Sequence, residues 1–173
     1  MIRSFNGKTP KIAESAFVSE AACVIGDVEL DENSSVWPGA VIRADFGKIK
    51  IGRNTAVEDN CVIHSGSPSG IGDVVIGDNV IIGHGATLNC HKIGNNVLIG
   101  MNATLLHDAE IGNFCIIAAG TLVGQGMIIP DWLFVAGVPG KIKGKASNEQ
   151  LWWTQANPEG YPKLAQQYKE QGL

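Results

Sequence analysis

The chain has 173 residues, 13 lysines and arginines against 17 acidic side chains, and 45% hydrophobic content, for a formal net charge of −4. These values describe a single globular domain and exclude a typical nucleic-acid binder, because no basic stripe is present. No apolar run approaches the roughly 18 residues of a membrane span, and the start lacks an apolar signal-peptide core, so a cytoplasmic protein is expected.

Residues 1–16 read as a leader with a turn at Thr9-Pro10. From there an aliphatic residue recurs every six positions: Val18, Val24, Leu30, Val36 and Ile42. A three-residue excess follows Ile42, and then Ile51, Val57 and Ile63 resume the beat. The segment after Ile63 is rich in Gly, Ser and Pro, which predicts a projecting loop over 65–73. The period then runs through Ile76, Ile82, Leu88, Ile93, Ile99, Leu105, Ile111, Ile117, Val123 and Ile129, with one short step between Leu88 and Ile93. Gly follows the aliphatic at Gly77, Gly83, Gly94, Gly100, Gly112 and Gly124.

A six-residue period fits neither a helix nor an alternating strand. It is the mark of hexapeptide repeats, and predicts an all-β solenoid, a left-handed parallel β-helix over 1–145. Three hexads make one triangular turn, the aliphatic points inward, and Gly is expected to serve the tight corner. The coils stack at about 4.8 Å per level. A β-sandwich would instead need even strands with strict alternation. The four cysteines show no C-x-x-C spacing and read as reduced core residues. Residues 135–141 close the prism, and 146–173 form a C-terminal helical segment packing on it. There Ser147 and Gln150 make a capping box. Leu151, Trp152 and Trp153 form an apolar face, Asn157-Pro158-Glu159-Gly160 breaks the helix, and a second helix runs over about 161–171 with Leu164, Ala165 and Tyr168 on one face.

The hexad register gives the histidines addresses. Ile51, Ile76, Ile93 and Ile111 lead a first face, Val36, Val57, Ile82 and Ile99 a second, and Ile42, Ile63, Leu88 and Leu105 a third. One column then reads Arg43, His64, Asn89 and Leu106, and another Asp59, His84 and Met101. His64 and His84 fall on different faces of one subunit. Side-by-side packing of subunits could bring them together as a metal site; otherwise they are unrelated surface histidines.

The runs Val36-Trp37-Pro38-Gly39-Ala40-Val41-Ile42-Arg43-Ala44-Asp45, Thr55 to His64, and Gly83-His84-Gly85-Ala86-Thr87-Leu88 resemble the gamma-class carbonic anhydrase family, as do Ile99 to Ala103 and Gly137-Val138-Pro139-Gly140-Lys141. The resemblance covers roughly 10–170, although the closing segment is shared with hexapeptide acyltransferases. It implies a homotrimer with three intersubunit sites for Zn²⁺ (or Fe²⁺ or Co²⁺), no membrane or nucleic-acid partner, and hydration of CO₂ to bicarbonate by a metal-bound hydroxide. It places metal ligands at His64 and His84. The third family histidine falls on Asn89, whose amide oxygen is a poorer zinc ligand than imidazole, and His91, two residues on, is the alternative ligand. The resemblance also assigns Arg43, Asp45 and Asp59 to an ion-pair set that orders the interface, and Tyr161 to a family tyrosine near the site. Glu58 replaces the usual Gln and is a candidate proton shuttle or an ion-pair partner for Arg43. Two rival readings stand beside this one: an acyltransferase using a CoA thioester, with His107 or His91 as base, and a non-catalytic assembly or metal-binding trimer.

Overall fold

The computed structural model describes residues 1–66, 72–155 and 159–172. The chain winds as a parallel β-solenoid of about seven turns. Its three faces follow the aliphatic register: Ile51 pairs with Ile76 and Ile76 with Ile93 on the first face, Val57 with Ile82 and Ile82 with Ile99 on the second, and Ile42 with Ile63 and Ile63 with Leu88 on the third. The inward aliphatics form one continuous core, with Ile42, Ile63, Ile82 and Ile99 fully enclosed. Full burial of each contributes roughly 1.5–3 kcal/mol, so the six-residue period is also the energetic period.

The repeat glycines serve a different purpose from the one expected. Gly77, Gly83, Gly94, Gly100 and Gly112 are absent from the positive-φ positions. What they provide is clearance between coils: a Cβ on Gly77 would lie 2.3 Å from Asn95 Oδ1, and one on Gly100 would lie 2.4 Å from the Ala119 backbone nitrogen. The left-handed residue comes two positions later, at Asn54, Asn79, Asn96 and Asn102. Asn tolerates that region because its short amide bonds locally, and here Asn33, Asn54, Asn79 and Asn96 hydrogen-bond one to the next along a corner.

Residues 1–16 are not a leader. Ile2–Arg3 and Lys11–Ile12 both pair in parallel with the strand Cys23–Leu30, and the turn falls at Asn6-Gly7, both at positive φ, rather than at Thr9-Pro10. The excess after Ile42 lies within one long bent strand, Val41–Ile51, which pairs on the third face with Val62–His64 and on the first with Val74–Ile76. Asp45 to Lys48, four residues opposite the single Asp27 of the neighbouring strand, hold the three-residue excess and stand out at the corner. The expected 65–73 loop lies partly outside the described residues. Its described ends are anchored, with Ser65 Oγ bonding the Gly47 backbone and Asp73 accepting from Lys48 N at 2.8 Å.

After the antiparallel closing hairpin of Leu133–Ala136 and Lys141–Lys145, the Ser147–Gln150 capping box forms reciprocally, at 2.8 and 3.3 Å. It starts α1 (Asn148–Gln155), which buries Leu151 and leaves Trp152 half exposed. Helix α2 (Gly160–Glu170) packs low on the second face through Ala165, Tyr161 and Tyr168, against Phe17 and Trp37. Leu164 is not on that face but exposed. Tyr168 meets Trp37 nearly edge-on with centroids 5.1 Å apart. All four cysteines are free, and burial pushes the Cys61 and Cys90 thiols up to about 12.

Candidate metal centre

Strand pairing sets Arg43 opposite His64, and the register Leu88 to Ile63 sets Asn89 on the next coil. The standing-out corner brings Asp45 back onto this column. Its Oδ1 lies 2.8 Å from His64 Nε2, while Oδ2 takes the Arg43 guanidinium. Burial pushes the Asp45 carboxyl up, but hydrogen bonds from His64 and Arg43 outweigh it and hold it below the usual carboxylate range. An ionised Asp45 accepts, so His64 donates Nε2–H, and Nδ1 is the ring nitrogen that Asp45 does not engage.

Asn89 Nδ2 donates to the His64 carbonyl oxygen at 3.0 Å. The amide is thereby oriented with Oδ1 as the remaining acceptor. His91 is turned elsewhere: its Nδ1 lies 3.1 Å from the Asp73 carbonyl oxygen, at the base of the 65–73 segment.

On the other edge, the turn after Ile82 carries His84, one coil above Asp59 and one below Met101. Each imidazole nitrogen faces a carboxylate, Nδ1 at 3.0 Å from Asp59 and Nε2 at 3.1 Å from Glu58. Glu58 is 4% exposed, and its Oε2 also accepts the His84 backbone N–H at 2.9 Å. Its Oε1 accepts from the Tyr161 hydroxyl, supplied by the first turn of α2. Burial, and then the adjoining Glu58 carboxylate, push that hydroxyl well above the ordinary phenol value. Arg43 therefore pairs with Asp45, and Glu58 belongs to the His84 edge.

One residue went unremarked in the sequence. Phe46, on the standing-out corner, sets its ring edge-on to His64 with centroids 5.8 Å apart. The three-residue excess was the available signal. A groove of about 360 Å³ starts at Glu58, His84 and Tyr161 and runs up the second face over Leu98 and Ile116.

Among the described residues of one chain, no three His, Cys, Asp or Glu side chains gather into a metal-holding group. The donor chemistry nonetheless fits a divalent metal in part. His64 has the carboxylate-anchored imidazole typical of metal ligands. His84 can free a nitrogen by rotation, being 49% exposed, and Asn89 offers an amide oxygen.

Residues 91–125 match the family model described as bacterial transferase hexapeptide (six repeats). The mitochondrial gamma carbonic anhydrase 2 of Arabidopsis thaliana is 35% identical over 162 residues, covering 92% of this chain and 58% of that protein. This chain thus spans less than two thirds of the plant protein's length. The carnitine operon protein CaiE of Escherichia coli K12 is 31% identical over 161 residues, covering 93% of this chain and 81% of CaiE. A crystal structure from Bacillus cereus, of a protein provisionally described as an acetyltransferase, superposes with TM-score 0.92 at 36% identity, over 98% of this chain and 97% of that one. With the hexad register and similarity over more than nine-tenths of this chain in agreement, the chain belongs to the hexapeptide-repeat family and is similar to gamma carbonic anhydrases and to CaiE.

Proposed function

We propose that the protein is a homotrimer that binds a divalent metal, zinc or iron, between subunits and hydrates CO₂ reversibly, weakly because Asn89 stands at the third ligand position. The observation that carries this reading is the His64–Asp45–Arg43 chain, an imidazole held by a carboxylate that is itself held by a guanidinium. His64 and Asn89 of one subunit and His84 of its neighbour would hold the metal. A bound divalent metal lowers the pKa of water toward ~7 and so supplies hydroxide at neutral pH.

The chain's own groups do the rest. Asp45 fixes the tautomer and orientation of His64, and Arg43 keeps Asp45 ionised. Asp59 steadies His84. Glu58, 3.1 Å from His84 Nε2, serves as the proton acceptor, with the Tyr161 hydroxyl holding its other oxygen in place. The free cysteines fit a reducing compartment such as the cytoplasm.

The test is elemental analysis of the purified protein together with CO₂ hydration by stopped flow. The reading expects sub-stoichiometric to stoichiometric metal and slow hydration that rises on metal addition. Tight acetyl-CoA binding with no metal would select the transferase reading, which the transferase-named family model supports. A stable trimer with neither property would leave an assembly protein.

A further inference from the structure

The solenoid ends on a strand that no other described element covers. Lys141–Lys145 is the outermost rung, paired with Leu133–Ala136 of the last coil, and all five of its residues are exposed. It is firmly seated: Gly140 N donates to the Leu122 carbonyl oxygen at 2.7 Å, and Ala146 N to that of Trp132 at 2.9 Å. The chain then turns back along the second face, where α1 meets Leu98–Ile99. Lys8, Lys48, Lys50, Arg53 and Lys163 each pair with a carboxylate. Among the described residues Lys141, Lys143 and Lys145 pair with none, and nearby Asp131 is spent on the Asn113 backbone N–H at 2.7 Å. Beside these lysines Val138 is 71% exposed, Ile142 48% and Trp132 45%. Trp132 stands there against local preference. The corner column that holds Asn54, Asn79 and Asn96 at positive φ ends in Phe114 and Trp132, at 56° and 67°, where a bulky side chain is strained. The two rings stack, with centroids 4.1 Å apart and planes 10° from parallel, so one side of the indole is backed by Phe114 and the rest faces solvent. Lysines on an unpaired edge guard it against strand addition; that accounts for the charge and not for the aliphatic and indole surface beside it.

We propose that this closing end docks on a membrane surface bearing anionic headgroups, with Lys141, Lys143 and Lys145 among the phosphates and Trp132, Val138 and Ile142 at the headgroup boundary. The combination of lysine, indole and aliphatic side chains is what such a boundary accepts: lysine stems reach anionic lipids, and tryptophan settles at headgroup level. Small ligands and peptides are held in concavities, whereas this rung stands clear of its neighbours, and a headgroup layer yields around a protruding edge. Charge sets the orientation. The chain carries −4 as a whole, so without these three lysines it is more acidic still, and an anionic surface disfavours other approaches. No described helix is long and apolar enough to cross a membrane, and surface contact needs none. The inference departs from the expectation of no membrane partner, and it needs neither the metal nor the shared site proposed above.

The experiment is co-sedimentation of the full-length protein with vesicles of phosphatidylserine and phosphatidylcholine in equal parts, against vesicles of phosphatidylcholine alone. Binding to the first and not the second is expected, with release as salt rises from about 0.1 M to about 1 M and the screening length falls from ~10 Å to ~3 Å. A lysine near an anionic surface contributes roughly fivefold to partitioning, so Lys143→Glu with Lys145→Glu should weaken binding at least about 25-fold. Lys8→Glu with Lys163→Glu changes the net charge equally at other places and should weaken it far less. Trp132→Asn installs the residue that this corner column carries elsewhere, so the fold is retained, and binding should fall by roughly tenfold with the lost apolar contact. Brominated lipid should quench wild-type tryptophan fluorescence and leave Trp132→Asn nearly unquenched, a reading independent of the lysine variants. Equal binding to both vesicles, no binding at low salt, or equal loss in the two charge-reversed pairs would each overturn the proposal. So would displacement from vesicles by soluble polyglutamate together with an unchanged Trp132→Asn, which would mark the end as a surface for an acidic protein.

Discussion

Replacing Asn89 by histidine tests the weakest ligand position. The amide spends its Nδ2 on the His64 carbonyl oxygen at 3.0 Å, so Asn89→His gives up one hydrogen bond, about 0.5–1.5 kcal/mol of stability. In return the column gains an imidazole one coil from His64, about 4.8 Å along the solenoid axis, a spacing from which two rings can converge on one metal with bonds of about 2.0–2.1 Å. Changes around metal ligands alter affinity by roughly 10–100-fold, and Asn89→His should tighten binding by that order. The assay is metal retention after dialysis against a mild chelator, read by elemental analysis, with urea unfolding of the metal-free protein alongside. His91→Ala serves as the comparison. Its imidazole bonds the Asp73 carbonyl oxygen, so its loss should leave retention unchanged. If His91→Ala strips the metal and Asn89→His adds nothing, the column assignment fails.

Three other outcomes follow from the geometry. Tyr161→Phe removes the hydroxyl from buried Glu58 while the aromatic packing stays, so denaturant unfolding should show a loss of about 1–3 kcal/mol. Trp37→Ala empties the cluster through which Tyr168 and Tyr161 seat α2 against Phe17 and Trp37; a loss of about 3–5 kcal/mol is expected, with amide exchange accelerated in 160–170 ahead of the coils. Asp45, with its lowered folded value, contributes stability that is fully present above the ordinary carboxylate value near ~3.9 and is lost as pH falls through the folded value. Unfolding of wild type and Asp45→Asn should therefore differ at neutral pH and converge in acid, and a gap that persists in acid would refute the pairing.

The solenoid was legible because the inward aliphatics carry both the energy and the period, and one residue in six is enough to count coils. The same register put Asn89 over His64 and His84 over Asp59, as the strand pairing has them. Other features left no such trace. The pairing of Ile2–Arg3 and Lys11–Ile12 rests on backbone bonds at the end of the prism, where little apolar burial demands a pattern. The work of the repeat glycines was misread because close approach of neighbouring coils and a left-handed corner both favour glycine, and only coordinates separate them. Leu164 was assigned to the packed face from local spacing, whereas the aromatics at Tyr161 and Tyr168 set the helix rotation. The Arg43 choice between Glu58 and Asp45 depended on how the three extra residues bend, which spacing does not encode.

The central claim is that the metal is held between copies, by His64 of one and His84 of the next. Mixed trimers test it most directly. His64→Ala and His84→Ala should each lose the metal alone. Co-expressed and purified together, random assembly leaves roughly one interface in four with both imidazoles, so the mixture should regain about a quarter of the wild-type metal retained per subunit. Metal kept in full by either single variant, or none recovered in a verified mixed trimer, would contradict the account.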